Sequence, residues 1–395
     1  MRTRKTTLAG GLLLLVLLMA MLQACAGATP APTEKVTTAP TQETAATQAT
    51  TATEEATATE AAAKVCPGDG SEGSLAVLEW AYYEVLDMSA DFCDAHPNVD
   101  VTFNFGASDE DIFAKTQAGS GEDIVHFYTP FLKFYVDEGL IQPLDTSKLT
   151  HWSEIPNKFQ DLCTLDGKVY CVPWDWGYTS ILYRTDKIPE GIDSWSALTD
   201  KKYAGHVSMW DSGPGAVTVG TYITGYDEAN LSDAQLNDIK KIWIGQRPLN
   251  TRYWTAEPDL VADFTSGDVW LAYAWNGAYY QLLTAGVPVA YANPKEGRNS
   301  WVGQYAISAK TKNYDLALAF LDGKLAVKTA TNLLTEYAYG HVNPKAYGAV
   351  TDANLRTALS LDDPTELDRT NFTVPISFDD FQRFVAMWAE VKAAP

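Results

Sequence analysis

The stretch Ser74-Leu75-Ala76-Val77-Leu78-Glu79-Trp80-Ala81-Tyr82-Tyr83, continued through residue 139, decides the fold class. Residues 75–78 are a continuous apolar run of strand length, as a strand covered on both faces requires. Residues 82–95 then read as a helix that ends before His96-Pro97, because the residue preceding proline avoids helical angles. Val99-Asp100-Val101-Thr102-Phe103-Asn104-Phe105 alternates as a strand. Residues 109–117 read as a helix. Ser108 is its N-cap, and Asp109, Glu110 and Asp111 lie in the first turn, where the helix dipole favours acids. Residues 123–127 form a further buried strand, and 130–138 a helix stopped by Gly139. This β-α-β-α-β rhythm implies a parallel sheet covered by helices.

The second half continues in the same style. Val172-Pro173-Trp174 precedes a strand at 180–183. A short helix opens at Trp195, and residues 206–210 are strand-like. Ser212-Gly213-Pro214-Gly215 opens a turn and a helix. Residues 269–274 and 289–292 are strands, and 315–325 is an amphipathic helix. Two α/β units crossed by the chain more than once would place a cleft between them.

Upstream, Met1-Arg2-Thr3-Arg4-Lys5 is a basic leader, and an apolar run occupies 8–22. It has the length and flanks of a secretory signal. Leu22-Gln23-Ala24-Cys25 resembles a bacterial lipobox, so residues 1–24 are expected to be removed and Cys25 lipidated. Residues 25–64, rich in Ala, Thr, Pro and Glu, cannot bury enough surface to offset ordering entropy and are expected to be a disordered tether. Its threonines are possible acceptors for O-glycosylation.

The 395 residues carry 29 Lys+Arg against 50 Asp+Glu, a net charge of −21. That balance argues against nucleic acid as a partner, since phosphate binding needs clustered cations. Four cysteines remain after Cys25, an even number in an exported chain. Three pairings are formally possible. Residues 163–171 resemble a hairpin turning at Asp166-Gly167, which favours Cys163 with Cys171 and leaves Cys66 with Cys93. There is no CxxC, and the five histidines are not at ligand spacing, so no metal or other cofactor is expected.

No Gly-x-Ser-x-Gly elbow, Walker loop or His-Glu-x-x-His is present, and nothing argues for an enzyme. The aromatics, 12% of the chain, fall in telling places. Trp80 and Tyr83 come after the first strand, Tyr128 after the third, and Trp275 ends a strand. Trp174, Trp176 and Tyr178 sit at one expected crossover, and Trp301 near a second. Ligands of open α/β sheets bind beyond the carboxyl ends of the strands, and aromatics gathered there supply apolar walls and cation-π faces.

From Ser74 to Lys345 the body resembles bacterial extracellular solute-binding proteins of ABC importers, closest to the spermidine/putrescine-binding branch. The resemblance rests on Glu79-Trp80-Ala81-Tyr82-Tyr83, Gly121-Glu122-Asp123-Ile124-Val125, Val172-Pro173-Trp174-Asp175-Trp176-Gly177, Trp275-Asn276-Gly277, Pro294-Lys295-Glu296-Gly297 and Tyr339-Gly340-His341-Val342-Asn343-Pro344. It implies an α/β, two-lobed periplasmic-binding-protein fold of type II-like topology with a ligand cleft between the lobes. The lobes would be 65–178 plus 302–345 and 179–301 plus 346–395. It implies a monomer that captures a small organic cation, polyamine-like, and delivers it to ABC permease subunits from a lipid anchor facing the periplasm or the cell exterior. A neutral solute such as a sugar, or a secreted hydrolase, is the alternative.

The family's ligand-facing aromatics correspond to Trp80, Tyr83, Trp275 and Trp301. Its carboxylate positions correspond to Ser212, Gly215 and Gly303, and its serine after the third strand to Tyr128. Glu79, Asp175 and Asp211 are the acids placed to substitute. The expected ligand set is therefore Trp80, Tyr83, Tyr128, Asp175, Asp211, Trp275 and Trp301.

Overall fold

A computed structural model describes residues 63–394 apart from Val65, Pro67, Tyr82 and Pro364. The expectations for the leader, for Cys25 and for the tether up to residue 62 lie outside the described residues.

Among the described residues, twelve strands form one sheet. In chain order they begin with β1 (Ala63–Lys64), β2 (Ser74–Trp80), β3 (Asp100–Gly106) and β4 (Ile124–Tyr128). A hairpin outside the sheet comes next, β5 (Thr164–Leu165) with β6 (Lys168–Val169). The sheet resumes with β7 (Cys171–Arg184), β8 (Val207–Trp210), β9 (Asn250–Trp254), β10 (Leu271–Trp275) and β11 (Val289–Tyr291). It ends with β12 (Asn299–Ile307), β13 (Gly340–His341) and β14 (Asn371–Phe372). The main spatial order is β1-β3-β2-β4-β12-β7-β10-β8-β9.

Two parallel sets stand at either side. β3, β2 and β4 run parallel, as do β10, β8 and β9. Between them β12 and β7 pair antiparallel with each other and with the flanking β4 and β10. The chain thus crosses from one set to the other on two adjacent strands.

Side chains alternate across a strand, so a sheet covered on both faces needs two cores. One contains Leu75, Val77, Val101, Trp174, Trp176, Ala272 and Ala274. The other contains Leu78, Val125, Phe127, Ile181, Met209, Leu271 and Tyr273. The sequence suggested a strand only at 180–183, yet β7 runs for 14 residues, the first 12 of them buried. Pro173, Asp175 and Gly177 hid it, since each locally argues against a central strand.

The helices confirm several local readings. Ser108 caps Asp109–Ala118 by accepting from the Asp111 N–H, and Ser212 caps Gly213–Thr224 by accepting from the Gly215 N–H. The helix expected over 82–95 is shorter: a 3-10 turn at Leu86–Ser89 leads into Ala90–Ala95. The 163–171 hairpin turns at Asp166 and Gly167, both left-handed at φ 49° and 74°. Its base is closed by Cys163–Cys171, and Cys66–Cys93 ties the start of the body to the first α-helix.

Candidate functional site

Five of the six strands in the two parallel sets end on an aromatic residue. β2 ends at Trp80, β4 at Tyr128, β8 at Trp210, β9 at Trp254 and β10 at Trp275. The register brings these ends to one level. Tyr128 lies opposite Gly303 of β12, and Trp275 lies opposite Thr179 of β7. Gly177 of β7 in turn pairs with Trp301 of β12. Both parallel sets therefore point their carboxyl ends at the middle of the two crossing strands, where open α/β sheets place ligands.

Around that level the rings make two groups. In the first, Trp80 meets Tyr128 at 5.5 Å between centroids, Tyr128 meets Trp301 at 5.5 Å, and Trp301 meets Tyr339 at 5.6 Å. Tyr339 stacks on Tyr83 at 6.4 Å. In the second, Trp275 packs edge-on against Trp210 at 5.3 Å and Trp254 at 5.0 Å. Gly177 lies between the groups. A Cβ there would fall 2.4 Å from Trp301 Cζ2 and 2.6 Å from Asn276 Oδ1, so a side chain would prevent both approaches.

Beneath the first group runs a buried line of charge. Glu79, His126 and Asp175 are all fully buried. His126 Nδ1 is hydrogen-bonded to Glu79 Oε1, and the Tyr305 hydroxyl donates to Glu79 Oε2 at 2.5 Å. His126 Nε2 faces Asp175 Oδ1 at 3.7 Å, and the Tyr83 hydroxyl donates to Asp175 Oδ2 at 3.0 Å. Burial alone would push the His126 pKa down, but the Glu79 and Asp175 carboxylates together raise it to about 9. Burial works against the Glu79 charge as well, yet His126, Lys324 and the Tyr305 bond hold its pKa below the usual carboxylate value. Lys324, its ammonium 4.5 Å from the Trp174 ring centroid, is lowered to about 8 by burial against the pull of Glu79 and Asp175.

Of the residues expected to face a ligand, Trp80, Tyr83, Tyr128, Asp175 and Trp301 come together in the first group. Trp275 belongs to the second. Asp211 is placed differently. Its carboxylate accepts from Trp388 Nε1 at 2.7 Å and from Lys392 Nζ at 2.7 and 3.0 Å, so its charge is committed to the helix Phe378–Ala393. Glu79 is likewise committed to His126 and Tyr305. Trp174, Trp176 and Tyr178, placed at an expected crossover, are core residues of β7.

Sequence reasoning missed Trp210, Trp254 and Tyr339 as ring partners, and His126 as the hub of the charged line. The strand-end position of Trp210 was a usable signal. Nothing local marks His126, because Glu79 and Asp175 are both far from it along the chain. Two further acids lie near the rings. Burial raises the pKa of both Asp109 and Glu257 to about 7. Asp109 accepts the Tyr128 N–H at 3.1 Å, and Glu257 accepts from Gln281 Nε2 at 2.6 Å. A separate cavity of about 370 Å³, lined by Ser74, Thr102, Glu122, Asp123 and Lys310, opens at the opposite end of β2 and β4.

This architecture has close counterparts among solved structures. The spermidine/putrescine ABC transporter substrate-binding protein PotD of Streptococcus pneumoniae superposes with a TM-score of 0.68 at 20% identity, covering 81% of this chain and 99% of that one. The fold is thus the two-lobed α/β fold of periplasmic binding proteins. In sequence, the chain is 26% identical to the putrescine-binding periplasmic protein PotF of Escherichia coli over 344 residues, 81% of this chain and 91% of PotF. It is 27% identical to the spermidine/putrescine-binding periplasmic protein of the same organism over 274 residues, 67% of this chain and 76% of that protein. Residues 87–359 match the family of bacterial extracellular solute-binding proteins. With that match running from before β3 through β13 and covering more than half of the chain, the chain belongs to the bacterial extracellular solute-binding protein family.

Proposed function

We propose that this chain is the substrate-binding component of an ABC importer and captures a small organic cation where the two parallel sets converge. Family membership makes it a binding protein rather than an enzyme. The observation that carries the cation reading is the ring cluster Trp80–Tyr128–Trp301–Tyr339–Tyr83 with the buried Asp175 carboxylate beneath it. Aromatic faces attract cations, and a carboxylate supplies the charge that rings only partly replace.

In this reading the lobes divide at 178/179 and 301/302, within the two crossing strands, and close on the ligand as a hinge. Cys25 carries a lipid, the tether gives the body reach, and a permease receives the ligand from an exported protein. Among the described residues no helix is long and apolar enough to cross a membrane. A neutral solute such as a sugar is the second reading. It is favoured by the charge sum of the buried line, in which Glu79 and Asp175 are offset by His126 and Lys324.

The test is a thermal-shift and calorimetric screen against polyamines, quaternary amines, amino acids and sugars. A cation should give the largest shift, and Trp80→Ala and Trp275→Ala should each weaken it. Cation affinity unchanged in both variants would make these rings core packing and refute the site.

A further inference from the structure

The ring cluster contains buried polar atoms that the fold leaves without partners. Tyr83 occupies Asp175 Oδ2, whereas Asp175 Oδ1 receives no hydrogen bond and faces His126 Nε2 only at ion-pair distance, 3.7 Å. Trp80 Nε1 and Asn276 Nδ2 are buried donors with no acceptor. Trp80 ends β2, and Asn276 comes directly after β10, so the three atoms come from both parallel sets and a crossing strand. Buried polar atoms are nearly always paired, and three exceptions on the strand ends and the crossing strand that meet at one level call for a partner from outside the chain.

Asp175 reaches this place because of Gly303. β12 bulges against β7 between Val302 and Gln304. A Cβ on Gly303 would fall 1.9 Å from Asp175 Oδ1 and 2.6 Å from His126 Nε2. The missing side chain is what admits the carboxylate. The neighbouring acids are otherwise engaged: Glu79 by His126 and Tyr305, Asp211 by Trp388 and Lys392, Glu257 by Gln281, and Asp109 by the Tyr128 N–H.

We propose that the ligand is a monoamine that also carries hydrogen-bond-accepting oxygens, an amino sugar or a hydroxylated amine, with its ammonium on Asp175 Oδ1 and its oxygens on Trp80 Nε1 and Asn276 Nδ2. This rests on the cation reading above and narrows it. An α,ω-diamine carries donors at both ends and offers nothing to the indole and amide N–H groups. A plain sugar offers oxygens but no charge for Asp175. Gly303 and His126 are positioning residues: the first leaves room for the carboxylate, and the second faces its Oδ1.

The experiment is calorimetry on the exported, disulfide-bonded protein with glucosamine, glucose and 1,4-diaminobutane. Glucosamine should bind at least tenfold more tightly than either of the others. Asp175→Asn, which keeps the side-chain shape, should abolish its advantage over glucose. Gly303→Ala should do the same, and where that variant does not fold, Asp175→Asn decides. Diamine binding equal to or tighter than glucosamine overturns the inference and leaves the cation reading standing. Glucose binding as tightly as glucosamine overturns the cation reading itself. Absence of binding by all three, or an unchanged advantage in Asp175→Asn, also overturns the inference.

Discussion

The two parallel sets of the sheet are built by one rule and equipped differently. Each ends its strands, β3 with its terminal Gly106 apart, on aromatic rings at the level of the crossing strands. At the β2–β4 side those rings stand over a buried line of Glu79, His126 and Asp175. At the β8–β10 side Trp210, Trp254 and Trp275 pack on one another, and the acid after β8 has turned away to Lys392. Local strand chemistry therefore builds the walls of a cleft twice, while the charge on its floor depends on distant partners. The first side also holds both disulfides, Cys66–Cys93 and Cys163–Cys171.

The largest expected difference between the sides comes from those bridges. Removing them by Cys→Ser substitution should cost about 2–4 kcal/mol each, the more for Cys66–Cys93, which closes the longer loop with a separation of 27 residues against 8. Denaturant melts should fall accordingly, and hydrogen exchange should rise first in β2–β4. Exchange rising first in β8–β10 would break the comparison.

Glycine substitutions give the next effect. At Gly303 an alanine would meet Asp175 and His126, whereas at Gly215 it would meet Trp210 Cε3 at 2.9 Å. Overpacking costs roughly 1–3 kcal/mol. Gly303→Ala should lie at the top of that range and Gly215→Ala at the bottom, since it meets one ring edge rather than two buried charges. Equal losses of stability would mean that the charged line is no more tightly packed than the rings.

The rings themselves should count for less. Trp80→Ala should weaken a cation's binding by about tenfold, equivalent to about 1.4 kcal/mol. Trp275→Ala should cost less than Trp80→Ala, because no carboxylate fixes a charge against its group. Phenylalanine should recover much of the loss at position 275 and less at position 80, where the indole N–H is lost as well. Fluorescence titration would show this, and the reverse order would place the ligand's charge on the second side.

A pH dependence sharpens the contrast further. His126 faces Glu79 on β2, Asp175 on β7, Tyr83, Tyr128 and Tyr305, with Lys324 and Asp109 close by. At pH 7 its pKa of about 9 keeps it charged beside Asp175. As pH rises through about 8 and 9, Lys324 and then His126 lose their protons. Affinity for a quaternary-ammonium probe, whose own charge is fixed, should therefore rise a few-fold between about pH 7 and 9.5. In His126→Gln the rise should shrink to the Lys324 step near pH 8. The same raised pKa contributes stability that is fully present below pH 6.5 and is lost as pH climbs through about 9. A flat binding profile in the wild type would sever His126 from the ligand.

The smallest effect belongs to Asp211. With its charge committed to Lys392, Asp211→Asn should change ligand affinity by less than about twofold, and the partly exposed ion pair it loses should cost no more than about 1 kcal/mol. A tenfold loss of cation affinity would return Asp211 to the cleft.

The sequence by itself determined the features set by neighbours along the chain. The alternation of apolar runs with amphipathic stretches marked the two parallel, helix-covered sets, though not the antiparallel crossing strands between them. Ser108 and Ser212 capped their helices because a hydroxyl three residues before an N–H is close enough to accept from it. The Asp166-Gly167 turn brought Cys163 within reach of Cys171. Aromatics at strand ends announced a cleft. The tertiary structure alone decided which acids carry charge there. Asp175 and Asp211 look alike locally, each directly after a tryptophan, one at an expected crossover and the other at an expected strand end. One meets His126 and the hollow left by Gly303, and the other meets a lysine 181 residues further along the chain. β7 and β12 were obscured for the same reason. Their polar and glycine positions are tolerated in the middle of a sheet only because strands and side chains far away in the sequence close around them.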